Sequence, residues 1–255
     1  MFRLLLILCF TTLPALAAKK LTVDSGTNQT TVVELYTSEG CSSCPPAEKW
    51  FKALTKAPKQ DINILALAFH VDYWDYIGWK DRFANPKHTS LQRQLGANNR
   101  QQSIYTPEFF VDGKEARGTR NVLSQISRNM SKNNGKPSPI RLKLSVSKNQ
   151  HSLMVELETT AIGSKKKGWQ HRYFVYENGL SSEVKRGENA GQVLNHEQVV
   201  RYMSATFKSA EYDSHSIKIH PDWRLDNIGV AALVTTAGSE QYLQAVYTPI
   251  TSLLE

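Results

Sequence analysis

The chain reads as an α/β protein whose first half alternates strands and helices and whose second half is mostly strands. Three observations predict this. Apolar runs alternate with helical patterns up to about residue 132, and period-two strand patterns dominate beyond residue 139. Between them, Ser131 to Pro139 has no apolar face and carries two helix-breaking prolines. The expected organisation is a leader over 1–17, a first domain over 28–132 and a small antiparallel β-sandwich domain over 139–255.

The leader expectation rests on one early charge, Arg3, an apolar stretch from Leu4 to Leu13, and the small-x-small site Ala15-Leu16-Ala17. This stretch is too short to span a bilayer, and no later segment is apolar enough, so a periplasmic or secreted protein with no membrane span is expected. Cys9 falls inside the leader, which leaves Cys41 and Cys44 of the chain's three cysteines. A secreted chain of this size with one pair is not a disulfide-stapled scaffold, because its core is large enough to stabilise it. The net charge is +8, or +7 without Arg3, and the basic residues are scattered apart from Lys165-Lys166-Lys167. That run reads as a solvated loop, and no nucleic-acid partner is expected.

Val32 to Thr37 is rich in β-formers and reads as the first strand. A helix from about Pro45 to Thr55 follows, its two prolines suited to a first turn in which a missing N–H costs nothing. The apolar run Ile62 to Val71 completes a strand, helix, strand unit, which requires parallel strands and a right-handed crossover. Asn85-Pro86 reads as a cap and first helical position, with Leu91 and Leu95 four apart on one face. Asp112-Gly113 between apolar residues predicts a hairpin, and Thr119 opens a last helix carrying Val122 and Ile126. Downstream, alternating segments at Ile140 to Ser147, Ser152 to Thr160, His171 to Glu177, Ser216 to His220, Asn227 to Thr235 and Gln241 to Tyr247 predict the sandwich. Asn178-Gly179 adds a hairpin signal.

Cys41 and Cys44 stand where the first strand hands over to the helix, at the carboxyl edge where α/β sheets carry their sites. A helix N-terminus favours anions, so a thiolate at Cys41 would be stabilised and its pKa pulled below the free value of ~8.5. Two cysteines three apart also fit a static bridge or half a metal site, although a bridge closing so small a loop contributes little stability. Redox chemistry is the leading expectation. A metal set of Cys41, Cys44, His70 and Asp72 is the alternative, since His70 and Asp72 end the next strand and such a set suits copper or zinc. The five histidines of the second half, His151, His171, His196, His215 and His220, are dispersed and show no catalytic spacing.

Tyr36-Thr37, Gly40-Cys41-Ser42-Ser43-Cys44 and a later Tyr105-Thr106-Pro107 leading into a hairpin resemble the thioredoxin and glutaredoxin fold. Together with Cys44-Pro45-Pro46-Ala47, the run His70 to Asp81 and Arg186-Gly187-Glu188-Asn189-Ala190-Gly191, they resemble the secreted bacterial domain-of-unknown-function family 1223 (DUF1223). The resemblance covers nearly all of the chain after the leader. It implies a thioredoxin-like first domain with Cys41 as the more exposed, attacking thiol and Cys44 as the shielded, resolving one. Pro107 would be a cis-proline facing the dithiol, with Thr106 and Tyr105 aligning a substrate chain, and Glu34 becomes a candidate buried proton shuttle. The family itself has no settled activity; the dithiol makes a thiol–disulfide oxidoreductase with no bound cofactor the expected function. Its partners would be a protein or small-thiol substrate and a second redox protein that resets the pair. A metal carrier and a non-catalytic docking protein are the alternatives. Arg186 to Gly191 reads as a turn that fixes strand register and that would otherwise meet the first half near the dithiol.

Overall fold

Strand β2 (Thr31–Thr37) is buried along its whole length, because both of its faces are covered. A computed structural model describes residues 19–56, 63–133, 137–163, 168–238 and 241–254. The expected leader and Lys165–Lys167 lie outside the described residues. Val33 and Leu35 of β2 pack with Ala47 and Phe51 of α1 (Cys44–Lys56) and with Val122 and Ile126 of α3 (Thr119–Asn133). The alternate residues Val32 and Tyr36 pack with Leu91 and Leu95 of α2 (Pro86–Asn98). The period of two thus sorts one strand between two helical layers. Tyr36 is further held by Phe69, stacked at 5.0 Å, and by Phe110, edge-on at 5.7 Å.

Strand β3 (Ile64–His70) runs parallel to β2, from Thr31 opposite Ile64 to Thr37 opposite His70. On the other side of β2, β4 (Glu108–Val111) is antiparallel and turns through Asp112-Gly113 into β5 (Lys114–Glu115). Both turn residues have positive φ, 47° and 73°, the requirement of the tightest hairpin turn. Asp112 also ties the turn down, accepting from Val32 N at 2.7 Å and from Asn129 Nδ2 at 2.6 Å. Asn85 caps α2 by accepting from Lys87 N at 3.0 Å, with Pro86 at the first helical position.

The second half contributes β6 (Ile140–Lys148), β7 (Ser152–Ala161), β8 (Trp169–Glu177), β9 (Leu180–Glu183), β10 (Val193–His196) and β11 (Val199–Met203). It continues with β12 (Phe207–Lys208), β13 (Tyr212–Lys218), β14 (Ile228–Thr236) and β15 (Tyr242–Pro249). The N-terminal β1 (Lys20–Asp24) joins β6, β7 and β13 in a four-stranded antiparallel sheet. The larger sheet runs β15-β14-β8-β11-β3-β2-β4-β5, with β12 beside β8. A core of Leu142, Leu144, Val155 and Leu157 against Tyr173, Val175, Val230 and Ala232 fills the space between the sheets.

Two expectations are corrected here. The sandwich is not free-standing: its inner layer continues the first half's sheet, because β11 pairs with β3 in parallel at Val199 and Ala68, and Ala68 N donates to Gln198 O at 2.8 Å. Strands from either side of Ser131 to Pro139 therefore share one sheet. Asn178-Gly179, read as a hairpin, instead hands the chain from one sheet to another, since β8 pairs with β11 and β14 while β9 pairs with β10. Gly229 of β14 lies so close under Tyr176 of β8 that a Cβ there would stand 2.2 Å from the ring.

Candidate active site

Six residues separate the end of β2 from the start of α1, and Cys41 sits within them. Cys41 N donates to Ser38 O at 3.2 Å and Cys44 N donates to Cys41 O at 3.1 Å, so the segment winds directly into the helix. The two cysteines form a disulfide with Cα atoms 5.4 Å apart, and Ser43 Oγ is 3.2 Å from Cys41 Sγ. Ser42 and Ser43 are exposed. Cys41, expected to be the open sulfur, is only 1% exposed, against 0% for Cys44.

The cover over Cys41 comes from 145 or more residues further along the chain. The hairpin β9–β10 carries Val184 to Gln192 at its tip, closed by Gly191 N donating to Val184 O at 2.8 Å. Asn189, itself buried, donates through Nδ2 to Cys41 O at 3.0 Å and to Glu39 O at 2.8 Å. Glu188 Oε2 accepts from Ser42 N at 3.0 Å, and the Ser42 side chain and then its backbone N–H hold the Glu188 carboxyl below its usual range. Gly187, with φ at 76°, packs where a Cβ would stand 3.0 Å from Ile77 Cδ1. A Cβ on Gly40 would in turn stand 3.1 Å from Trp74 Cβ and from Ile77 Cδ1. The run Arg186 to Gly191 thus meets the dithiol as well as shaping its own turn.

Beneath the same junction lies a buried polar cluster. His196, at the end of β10, has Nδ1 at 2.5 Å from Glu48 Oε2 and Nε2 at 3.1 Å from Glu39 Oε1. His70, at the end of β3, has Nδ1 at 2.7 Å from Asp81 Oδ2, and its ring meets the His196 ring edge to face at 4.8 Å. Thr37 Oγ1 donates to Glu48 at 2.6 Å, Trp79 Nε1 to Glu39 at 2.7 Å, and Glu39 N to Asp81 at 2.9 Å. Burial works against a charge on His196, yet the carboxylates of Glu48 and Glu39 outweigh it and raise its pKa to about 10. Burial likewise works against charge on Glu48 and Asp81, but His196 and His70 respectively hold both carboxyls below their ordinary range. His88, behind His70, has no such partner, and burial depresses it to about 4.

The residues singled out in the sequence fall in different places. The Thr106–Pro107 bond is cis, just before β4 and beside the end of β2. Thr106 Oγ1 accepts from Trp74 Nε1 at 2.7 Å, so Trp74 links the cis-proline loop to Gly40 and the dithiol. Tyr105 hydrogen-bonds through its hydroxyl to Glu115 at 2.8 Å and through its carbonyl to Gln92 at 2.7 Å. Glu34 lies elsewhere. It alternates with Val33 and Leu35, so its side chain leaves β2 on the face away from α1, and it accepts from Tyr242 Oη at 2.8 Å. Asp72 accepts from Thr89 Oγ1 at 2.5 Å, at the start of α2. His70 does stand at the sheet edge near the dithiol, but it groups with Glu48 and His196 rather than with the cysteines and Asp72.

The sequence reading did not single out Glu39, Glu48, Asp81 or His196. Glu48 left one usable signal, its position four residues after Cys44 on the same helix face. His196 left none, because its approach depends on a hairpin that starts in the other half.

The chain belongs to the family described as "Protein of unknown function (DUF1223)", whose model matches residues 32–235. No functionally curated protein matches it. Its fold is shared with two solved structures. Protein AGR_C_4864 from Agrobacterium tumefaciens is 20% identical, with a TM-score of 0.58 over 85% of this chain and 92% of that one. HBP35 of Porphyromonas gingivalis is 14% identical, with a TM-score of 0.65 over 88% of this chain and 76% of that one. Among the described residues no helix is long and apolar enough to cross a membrane.

Proposed function

We propose that the protein is an exported thiol–disulfide oxidoreductase whose Cys41–Cys44 pair exchanges two electrons with substrate thiols. The observation that carries this reading is the disulfide itself, set at the junction of a buried central strand and a helix N-terminus. The order β3-β2-β4-β5, with helices after β2, β3 and β5, supports a thioredoxin-like first half. The apolar stretch and small-x-small site of residues 1–17 support export to the periplasm or beyond, where a disulfide persists.

In the oxidising direction a substrate thiolate attacks Cys41 Sγ, the S–S bond breaks, and Cys44 leaves as a thiolate that takes up a proton. A second substrate thiolate then attacks the mixed disulfide and releases Cys41; the substrate gains a disulfide and the protein is reduced by two electrons. The reducing direction runs these steps backward from the Cys41 thiolate, which the helix N-terminus favours. Attack at Cys41 requires Glu188 and Asn189 to withdraw, so the covered disulfide is the resting arrangement. Thr106 and Pro107 would align the substrate chain beside it.

Export of single variants and non-reducing electrophoresis test the assignment. Cys44→Ser should accumulate mixed disulfides through Cys41, whereas Cys41→Ser should accumulate almost none. Equal trapping by both variants, or by neither when both are folded, removes the reading.

A further inference from the structure

We infer that Glu48, His70 and His196 form a binding site for a divalent transition-type metal ion of the zinc class. One ring nitrogen from each histidine and one carboxylate oxygen of Glu48 lie within 4.8 Å of one another. Both histidines are buried. The decisive atom is His70 Nε2, which is buried and has no hydrogen-bond partner, while Nδ1 of the same ring is taken by Asp81. A buried imidazole nitrogen without a partner is costly in a protein interior, unless something outside the protein chain fills that role.

The surroundings have the form that metal-bound histidines require. A ligating imidazole directs its second nitrogen at a carboxylate, which fixes the ring and its tautomer. Here Asp81 holds Nδ1 of His70 and Glu39 holds Nε2 of His196, which leaves Nε2 of His70 and Nδ1 of His196 for the ion. Glu39 and Asp81 are fixed in turn, by Trp79 Nε1 and by the N–H groups of Glu39 and Phe83. Two nitrogens and one oxygen suit zinc and its transition neighbours better than calcium or magnesium, which take oxygen. Bonds of about 2.0–2.2 Å at tetrahedral angles set ligand atoms roughly 3.4 Å apart, so side-chain rotations that draw His70 in and part His196 from Glu48 would seat the ion. The Glu48 side chain is 10% exposed, whereas those of both histidines are 0–1% exposed. On binding, the ion takes the place of the proton shared between His196 and Glu48, and that proton is released.

The assay uses the full mature protein with its disulfide intact, so neither sulfur is a donor and the result does not depend on redox activity. Calorimetric titration with zinc should give one equivalent. His196→Gln, His70→Gln and Glu48→Gln should each weaken binding at least tenfold, and Asp72→Asn should leave it unchanged. X-ray absorption of the wild-type zinc complex needs no variant, and should show two imidazoles and no sulfur. A folded wild type that takes up no stoichiometric zinc, a sulfur-bound ion, or binding that survives His196→Gln and Glu48→Gln would overturn the site. Zinc bound as described beside a dithiol that fails the trapping test would leave this site standing and remove only the oxidoreductase reading.

Discussion

Asn189 Nδ2 donates to the carbonyl oxygen of Cys41 at 3.0 Å, across 148 residues of chain. A loop of the second half is thereby fastened to the backbone of the candidate attacking cysteine, and the same amide holds Glu39 O. Access to the disulfide becomes a property of the whole molecule rather than of its first half.

Asn189→Ala should therefore speed reduction of the disulfide by a small thiol. Two buried hydrogen bonds contribute about 1 kcal/mol each, so the cap should open roughly tenfold more often or better. Glu188→Gln, whose bond to Ser42 N is exposed, should change the rate less. Stopped-flow measurement of reduction separates them, and an unchanged rate in Asn189→Ala would show that the cap does not control access.

The buried pair and the surface pairs should behave differently. Glu48→Ala removes one of the two carboxylates that hold buried His196, and breaking a buried ion pair costs up to about 3–5 kcal/mol. Lys143 and Glu158 are paired at 2.9 Å but are 47% and 49% exposed, so Glu158→Ala should cost at most about 1 kcal/mol. Denaturant unfolding of the metal-free proteins reads both.

Stability should depend on pH through two histidines with opposite signs. His196 is raised to about 10, so its contribution is fully present below its unfolded value of 6.5 and is lost as pH rises toward 10. His88 is depressed to about 4, so the unfolded chain takes up a proton first and stability is lost as pH falls from 6.5 toward 4. The His88 term is of order 3 kcal/mol. His88→Gln should flatten the acid limb relative to wild type, and His196→Gln the alkaline limb; parallel curves for variant and wild type would contradict the assignment.

Gly229→Ala should be severely destabilising, because its Cβ would stand 2.2 Å from Tyr176 Cζ. Overpacking of this kind costs about 1–3 kcal/mol or more. A melting temperature equal to wild type would mean that β8 and β14 separate more easily than their packing implies.

Much of the first half was legible because its signals are local. Prolines at 45 and 46 mark the start of α1, Asn85 caps α2, and Asp112-Gly113 makes its turn. The strands of the second half were legible as strands, yet their partners were not. Alternation tells a strand which face to bury but not which neighbour to take, and Val199 pairs with a residue 131 positions earlier. For that reason the continuous sheet was missed and a free-standing sandwich expected. The same limit hid His196, which stands beside Glu48 only because β10 delivers it there, and it hid the face that Glu34 takes, where Tyr242 donates to it. Cys41 and Cys44 were legible as a pair because their spacing is local; the burial of Cys41 was not, since its cover comes from Glu188 and Asn189.

The reduction potential of the Cys41–Cys44 pair, measured by equilibration in thiol–disulfide buffers with the full mature protein, tests the central claim most directly. A redox pair should titrate reversibly with a potential roughly between −270 and −120 mV. A potential below roughly −300 mV, the range of structural bridges, would contradict it.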